Sequence, residues 1–162
     1  MAIAVVTGGG SGIGRACCRL LARKGWRVMV LDINEANAKA VAAEIGGNAY
    51  GVDVSDETTV AALAKRIEAE EGPIEGLVNC AGLLPAPVAP DDLPMSEWDR
   101  ITRVNQRGTY LCCVIFGRQM AARRRGGECK DFCVYELYAF SDGGVVWQAI
   151  PIQSSLNCSM SS

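Results

Sequence analysis

A glycine-rich segment at residues 7–14 has the residue types and spacing that best fit a chemical role. It reads Thr7-Gly8-Gly9-Gly10-Ser11-Gly12-Ile13-Gly14. Glycine leaves backbone N–H groups uncovered and permits positive φ angles, so a phosphate can approach the main chain closely. If a helix begins at this loop, the positive end of its dipole adds to the attraction for an anion. The segment therefore predicts a phosphate-binding loop.

One acidic side chain is spaced to complete such a site. Asp32 follows an apolar run and lies 18 positions after Gly14. A carboxylate at about this offset accepts hydrogen bonds from the ribose hydroxyls of a bound dinucleotide. NADP would place a phosphate there, and two like unit charges ~4 Å apart repel by about 4 kcal/mol at an effective dielectric near 20. Loop and carboxylate together predict NAD as the cofactor rather than NADP.

An alternation of apolar runs and helical segments surrounds these residues. Continuous apolar runs, typical of strands buried on both faces, predict strands at residues 3–6, 26–31, 49–52 and 74–78. Helical spacing of apolar residues predicts helices at residues 13–24, 35–45 and 57–71. This order predicts an α/β fold, a doubly wound parallel sheet with helices on both faces.

The chain after residue 82 predicts a loop and then a long helical region. Residues 83–94 are rich in proline and aspartate, and helical character then extends to residue 125 with an interruption near Gly108. Ser96 with Asp99 three positions later predicts a capped helix start. Gly126 and Gly127 predict the helix end.

Composition and charge favour a globular domain and exclude several classes of protein. The 162 residues are 49% hydrophobic and 21% charged, and the net charge is −2. Such a chain can bury a core and lacks the positive field that attracts nucleic acid or an anionic membrane. No apolar stretch is long enough to cross a bilayer or to form a signal peptide.

The eight cysteines are not accompanied by any histidine. Their spacing does not bring together the roughly four ligands that a zinc site needs. We therefore expect reduced thiols, no metal and a cytoplasmic location.

Four motifs, taken in order, carry a resemblance to a known family. They are Thr7, Gly8, Gly12 and Gly14 in the pattern T-G-x-x-x-G-x-G; Asp53-Val54 as an adenine-contacting pair; Asn79-Cys80-Ala81-Gly82 in place of N-N-A-G; and Asn105 as a helix asparagine. Over residues 2–127 the sequence thus resembles the short-chain dehydrogenase/reductase family. The resemblance implies a Rossmann-type fold and NAD-dependent hydride transfer between nicotinamide and a small alcohol or carbonyl substrate.

The candidate site residues follow from the loop and the resemblance together. The candidate cofactor-binding residues are Thr7, Gly8, Gly10, Ser11, Gly12, Ile13, Gly14, Asp32, Ile33, Asp53, Val54, Asn79, Ala81 and Gly82. The candidate catalytic residue is Asn105.

The resemblance also implies a homo-oligomer that forms through the helix from Asn105 to Ala122. Burial against its own sheet is the simpler explanation for most of the helix's apolar residues, which are Leu111, Val114, Ile115 and Phe116.

The family's catalytic serine and its Tyr-x-x-x-Lys pair have no match in this sequence. Four positions after Tyr135 and Tyr138 stand Ala139 and Asp142, and no lysine follows Lys130. A neighbouring ammonium group is what lowers a tyrosine pKa from about 10 towards the working pH. We therefore expect the catalytic set to be incomplete here.

Residues 128–162 resemble nothing in the family, so we predict a domain over residues 1–127 followed by a divergent segment. Turn signals at residues 141–144 predict a hairpin between residues 135 and 152, and the last six residues predict a frayed tail. We expect the C-terminal half of the family fold to be missing, replaced through an altered reading frame or an alternative exon. The edge of the fourth strand would then be exposed unless residues 132–140 pair with it.

Three interpretations of function remain open at this point. The first is an NAD-dependent oxidoreductase with the family's activity. The second is a non-catalytic NAD-binding remnant, and the third is an unstable truncated product.

Overall fold

The computed structural model describes residues 1–85 and 87–123 and, beyond these, the backbone of three strands. The strands are β1 (Ile3–Thr7), β2 (Arg27–Asp32), β3 (Asn48–Gly51), β4 (Ile74–Asn79), β5 (Glu128–Asp131), β6 (Val134–Ser141) and β7 (Gly144–Pro151). The helices are α1 (Gly12–Arg23), α2 (Glu35–Ile45), α3 (Glu57–Glu70), α4 (Met95–Thr102) and α5 (Thr109–Ala122). A short 3-10 turn covers Pro90–Asp92, and a π-helical segment, Arg103–Gly108, joins α4 to α5.

Five of the strands form a sheet in the order β3-β2-β1-β4-β5. All of its pairings are parallel, and Val6 of β1 lies between Val30 of β2 and Val78 of β4. The strand order reverses direction between β1 and β4, and ligands of such sheets bind beyond the carboxyl ends of the strands at that reversal. The predicted Rossmann-like fold is confirmed.

Alternating side chains on the strands build two separate cores, one on each face of the sheet. Val5 and Leu77 pack with residues of α3 and α5, among them Phe116, which is fully buried. Val6 and Val78, their neighbours in sequence, pack on the opposite face with residues of α1 and α2. Because successive strand residues point to opposite faces, an unbroken apolar run covers both faces at once.

The N-terminal caps of the helices fix where the loops of the site end. Asn34 caps α2 by accepting a hydrogen bond from the backbone of Asn37, and Asp56 caps α3 in the same way. The predicted cap at Ser96 and Asp99 is wrong, since α4 begins at Met95 and no side chain caps it. Its N-cap residue is Pro94, whose carbonyl group accepts from the amides of the first turn.

The helical region after α4 contains the predicted interruption, in a form that the sequence does not reveal. The interruption is the π-helical segment, and it ends at Gly108. Within α5, Leu111 and Phe116 are buried and Ile115 packs against the core on the same face of the sheet as α3. No helix in the described ranges is long and apolar enough to cross a membrane.

Strands β5, β6 and β7 lie beyond residue 127. β5 pairs with β4 from Gly76 opposite Glu128 to Asn79 opposite Asp131, so residues 128–131, and not residues 132–140, cover the edge of the fourth strand. Only five residues separate the end of α5 from β5, and a short connection returns a chain to the neighbouring edge of its sheet.

β6 and β7 pair antiparallel, with Ser141 opposite Gly144, over the residues for which a hairpin is predicted. The predicted tail at residues 157–162 lies outside the described residues. The division of the chain at residue 127 stays a prediction.

Candidate functional site

A cleft of about 610 Å³ opens beyond the carboxyl ends of the central strands. Its walls are the loop after β1, the loops after β2, β3 and β4, and the helical region that carries α4 and the π-helical segment. The lining residues are Gly8, Ser11, Gly12, Ile13, Gly14, Asp32, Ile33, Val52, Asp53, Val54, Cys80, Ala81, Gly82, Leu83, Leu84, Arg100, Arg103, Val104 and Asn105. Twelve of these are candidate site residues. Three other candidates, Thr7, Gly10 and Asn79, do not line the cleft.

The loop after β1 needs glycine at three positions for different reasons. A Cβ atom at Gly14 would lie 2.1 Å from the carbonyl oxygen of Gly8, and one at Gly8 would lie 2.7 Å from the amide nitrogen of Ala81. These two glycines therefore permit close packing of the loop. Gly12 has a φ of +49° and open space in front of it, so it leaves room for a ligand.

Helix α1 begins in this loop with its first amide groups uncapped by any side chain. The N-cap residue Ser11 makes no side-chain capping hydrogen bond, and the first turn contains no acidic residue. Because Gly12, Ile13 and Gly14 line the cleft, the positive end of the helix dipole lies at its wall. Such a helix start attracts an anion.

The Asp32 carboxylate is fixed by backbone donors on both oxygens. Oδ2 accepts from the amide of Gly10 at 2.9 Å, and Oδ1 accepts from the amide of Asn34 at 2.9 Å. A Cβ atom at Gly10 would lie 2.8 Å from Oδ2, so Gly10 acts behind the carboxylate and not in the cleft. Since a carboxylate has about four acceptor sites, Asp32 keeps capacity for hydroxyl donors.

The loop after β3 contributes an acidic and an apolar residue to the cleft. The Asp53 Oδ1 atom accepts from the amide and the hydroxyl of Ser55, at 2.9 Å and 2.7 Å. Val54 is buried, whereas Ile33 in the loop after β2 is 76% exposed. An exposed isoleucine at a cleft wall offers apolar contact to a flat ring.

Thr7 and Asn79 support the floor of the cleft from within the sheet. Thr7 is buried, and its hydroxyl oxygen accepts from the amides of Cys80 and Ala81, each at 3.2 Å. Asn79 is also buried and donates to the sulfur of Cys113 at 3.3 Å. Thr7 therefore holds the start of the loop after β4, and Asn79 ties the end of β4 to α5.

Asn105 fixes the same loop from the helical side. Its Oδ1 atom accepts from the amide of Leu83 at 2.8 Å, and its Nδ2 donates to the carbonyl oxygen of Leu83 at 2.9 Å. The side chain is 8% exposed and lines the cleft. A Cβ atom at Gly82, the residue before Leu83, would come into contact with the side chain of Asn105.

Seven lining residues are absent from the sequence-based set. They are Val52, Cys80, Leu83, Leu84, Arg100, Arg103 and Val104. The i, i+3 spacing of Arg100 and Arg103 on one helical face was a usable signal. Arg100 is held by Glu97, with nitrogen–oxygen distances of 2.7 Å and 2.6 Å.

Cys80 is the cysteine that replaces asparagine in the family's N-N-A-G motif. Burial, followed by the neighbouring thiol of Cys17, raises its pKa to about 12. Cys80 is thus a neutral thiol, and its side chain packs against the core that includes Cys18 of α1. Among the described residues no cluster of cysteine and acidic side chains is arranged to hold a metal ion.

Comparison with known proteins places the chain in one family. The family model described as short chain dehydrogenase matches residues 2–128. The D-threitol dehydrogenase of Mycolicibacterium smegmatis is 40% identical over 124 residues, which are 73% of this chain and 47% of that protein. The chain thus spans about half the length of this curated relative.

Two solved structures from Brucella melitensis are similar in fold, and each match covers 80% of this chain. One, described as ribose-5-phosphate isomerase, is 48% identical with a TM-score of 0.76 over 50% of its length. The other, a 3-ketoacyl-(acyl-carrier-protein) reductase complexed with NADH, is 31% identical with a TM-score of 0.76 over 56% of its length. The sequence match, the strand order and the glycine loop agree, and the chain belongs to the short-chain dehydrogenase family.

Proposed function

We propose that this chain binds NAD in the cleft, as the cofactor-binding part of an oxidoreductase that acts on an alcohol or carbonyl group. The observation that carries the proposal is that a positive helix start and a negative carboxylate lie on different walls of one cleft. The uncapped start of α1 lies on one wall, and the fixed Asp32 carboxylate lies on another. A dinucleotide has a pyrophosphate for the first and ribose hydroxyls for the second.

The residues of the cleft divide among the parts of the cofactor. Amides around Gly12 would hold the pyrophosphate, and Asp32 would accept from the adenosine ribose. Ile33 and Val54 would enclose the adenine, with Asp53 at its polar edge. Ala81, Gly82 and Asn105 would lie towards the nicotinamide, which supplies the hydride chemistry when the cofactor is bound.

The charge of Asp32 favours NAD over NADP. A phosphate on the ribose would meet a carboxylate whose position is fixed by Gly10 and Asn34. The repulsion, about 4 kcal/mol at ~4 Å and an effective dielectric near 20, corresponds to roughly three decades in affinity. The reductase from Brucella melitensis described above is complexed with NADH, which supports the same cofactor class.

The second part of the proposal is that these 162 residues bind NAD without turning over substrate. Of the family's catalytic set the sequence matches only Asn105, and it contains no Tyr-x-x-x-Lys. The names of the similar proteins belong to chains about twice as long as the matched region. We therefore name no individual substrate; if the chain were active, its substrate class would be a small alcohol or carbonyl compound.

Two further expectations belong to the proposal. The helical region from Asn105 to Ala122 would contact a second copy of the chain in a homo-oligomer. A reducing, cytoplasmic location fits the free thiols at Cys17, Cys18 and Cys80.

Isothermal titration with NAD, followed by an assay for NADH formation with a panel of alcohols, tests the proposal. The matched variants are Gly12→Asp and Gly46→Asp. Both glycines have positive φ and nothing within 4 Å of a Cβ atom, but only Gly12 lines the cleft. We expect NAD binding by the wild type and by Gly46→Asp, and its loss in Gly12→Asp because the new carboxylate repels the pyrophosphate.

The assay for turnover separates the two parts of the proposal. Binding of NAD with no NADH formation supports both. NADH formation by the 162-residue chain would contradict the non-catalytic part and favour the complete oxidoreductase. A folded chain that takes up no NAD at millimolar concentration would contradict the binding itself.

A further inference from the structure

The Asp53 carboxylate is held by its own loop through only one of its two oxygens. Both hydrogen bonds from Ser55, one from the amide and one from the hydroxyl, end on Oδ1. No group in the described ranges of the chain bonds Oδ2, although Asp53 lines the cleft. One oxygen is thus an anchor, and the other is available to a ligand.

Ser55, which holds Oδ1 of Asp53, is buried in the interior of the protein. It is 5% exposed and does not line the cleft. Its amide and hydroxyl are both directed at Asp53, which leaves its carbonyl oxygen to be bonded from elsewhere. That bond comes from Arg107, 52 positions later in the chain, whose guanidinium Nη1 donates to it.

Arg107 belongs to the π-helical segment, so it connects two walls of the cleft. Its other terminal nitrogen lies 3.7 Å from the carboxylate of Glu57, at the start of α3. The next residue, Gly108, packs so closely that a Cβ atom would lie 2.7 Å from the side chain of Val54. The guanidinium therefore bonds to a loop that already lies against its own segment.

We infer that Ser55 and Arg107 are positioning residues, which hold the Asp53 carboxylate in place to recognise the amino group of adenine. The inference rests on the proposed binding of NAD and adds two residues outside the cleft to it. Arg107 fixes Ser55 through its carbonyl group, and Ser55 fixes Oδ1 of Asp53. Oδ2 then accepts a hydrogen bond from the exocyclic amino group of the base.

The chemical consequence is discrimination between bases. A carboxylate accepts a hydrogen bond from an amino group, whereas it repels the carbonyl oxygen that hypoxanthine has at the same position. Discrimination of this kind depends on orientation, because hydrogen bonds weaken steeply when their angle departs from linearity. Loosening Asp53 should therefore reduce the preference for adenine more than it reduces binding as a whole.

The test compares the dissociation constants of NAD and nicotinamide hypoxanthine dinucleotide, each measured by titration calorimetry on the 162-residue chain. The wild type should prefer NAD by roughly 10-fold or more, as expected for a hydrogen bond to a charged group. Arg107→Met should reduce this preference to about threefold or less, mainly by weakening NAD. Arg107→Lys, which keeps a donor and a positive charge, should restore part of it.

Arg66→Met is the matched control. Arg66 is an exposed arginine on α3 that bonds to Glu70 at 3.0 Å, and it does not line the cleft. Its replacement should leave the base preference unchanged. If Arg107→Met weakens both dinucleotides equally, Arg107 supports only the fold and the inference is overturned.

Ser55 provides an independent reading if the Arg107 variants do not fold. Ser55→Ala should lower the base preference because it removes the hydroxyl donor to Asp53, and Ser55→Thr should retain it. A wild type that binds both dinucleotides equally would overturn the inference and leave the proposed function standing. A folded wild type that binds neither would overturn both.

Discussion

Gly14 is the residue at which the glycine loop after β1 is most tightly packed. Its backbone lies against the carbonyl group of Gly8, where a Cβ atom would be only 2.1 Å from the oxygen. The backbone at the start of α1 is thus in direct contact with the backbone just after β1. This contact sets the direction of the uncapped amides of α1, so one added carbon should change both stability and binding.

Gly14→Ala should lower the free energy of unfolding by about 2–4 kcal/mol and abolish NAD binding, because the loop must move to admit the methyl group. Urea unfolding and titration with NAD measure the two effects. The control is Gly117→Ala in α5, where a Cβ atom would meet nothing within 4 Å. That change should stabilise the chain by up to about 1 kcal/mol, since alanine is the better helix former. Equal effects of the two variants would refute the packing argument.

The residues of the site divide into those that sequence could predict and those that it could not. Gly8, Gly12, Gly14 and Asp32 were predictable because their spacing is set within one strand–helix–strand unit. Arg107 was not, because its bond to Ser55 joins positions 52 apart and depends on how two loops pack. Asn79 was predicted as a contact residue, but it supports the floor without lining the cleft.

The π-helical segment organises one side of the cleft. It carries Asn105, whose amide holds both backbone groups of Leu83. It also carries Arg107 and Gly108, which contact the loop after β3. Single-turn π-helical insertions within α-helices are frequent at functional sites.

Asn105→Ala should release the loop after β4. The change removes two hydrogen bonds and leaves the amide and carbonyl groups of Leu83 without these partners, so we expect a loss of about 1–3 kcal/mol in the free energy of unfolding. Hydrogen exchange at Leu83 should accelerate. Gln106→Ala, an exposed neighbour in the same segment, should change stability by no more than about 0.5 kcal/mol. If the rate of hydrogen exchange at Leu83 is unchanged in Asn105→Ala, the loop after β4 does not depend on Asn105 for its position.

The elements up to residue 79 were predictable to within one residue at each end, because buried parallel strands have continuous apolar runs and the helices between them are amphipathic. Prediction weakened after residue 83. The N-cap residue of α4 is Pro94, which has no side-chain acceptor, and Ser96 already lies within the helix, so the Ser96–Asp99 pattern had no capping role. Gly108, which ends the π-helical segment, packs against Val54, a contact that local sequence does not encode.

Several thiols lie in the core between the sheet and α1. Cys18 is fully buried, and Cys17 and Cys80 pack against the same core. Burial, followed by the charge of neighbouring Cys17, raises the pKa of both Cys18 and Cys80 from 9.0 to about 12. The folded state therefore keeps these thiols protonated in a pH range where the unfolded chain ionises them.

This difference in pKa predicts a loss of stability in alkali. A group whose pKa is raised by folding stabilises the protein fully below its unfolded pKa, and the contribution is lost as pH rises through the folded pKa. The free energy of unfolding should therefore fall between pH 9 and 12. Urea unfolding over this range, with Cys18→Ala as the comparison, measures it. The variant should show a shallower decline, and equal slopes would contradict the assignment to Cys18.

We propose that the cleft holds NAD and that Asp32 selects against the phosphate of NADP. Calorimetric titration of the wild type and of Asp32→Ala with both dinucleotides measures both properties. The wild type should prefer NAD by roughly 100- to 1,000-fold. The variant should bind the two dinucleotides with similar affinity, which is weaker than the affinity of the wild type for NAD. A folded wild type that binds NAD and NADP equally, or that binds neither, would contradict the proposal.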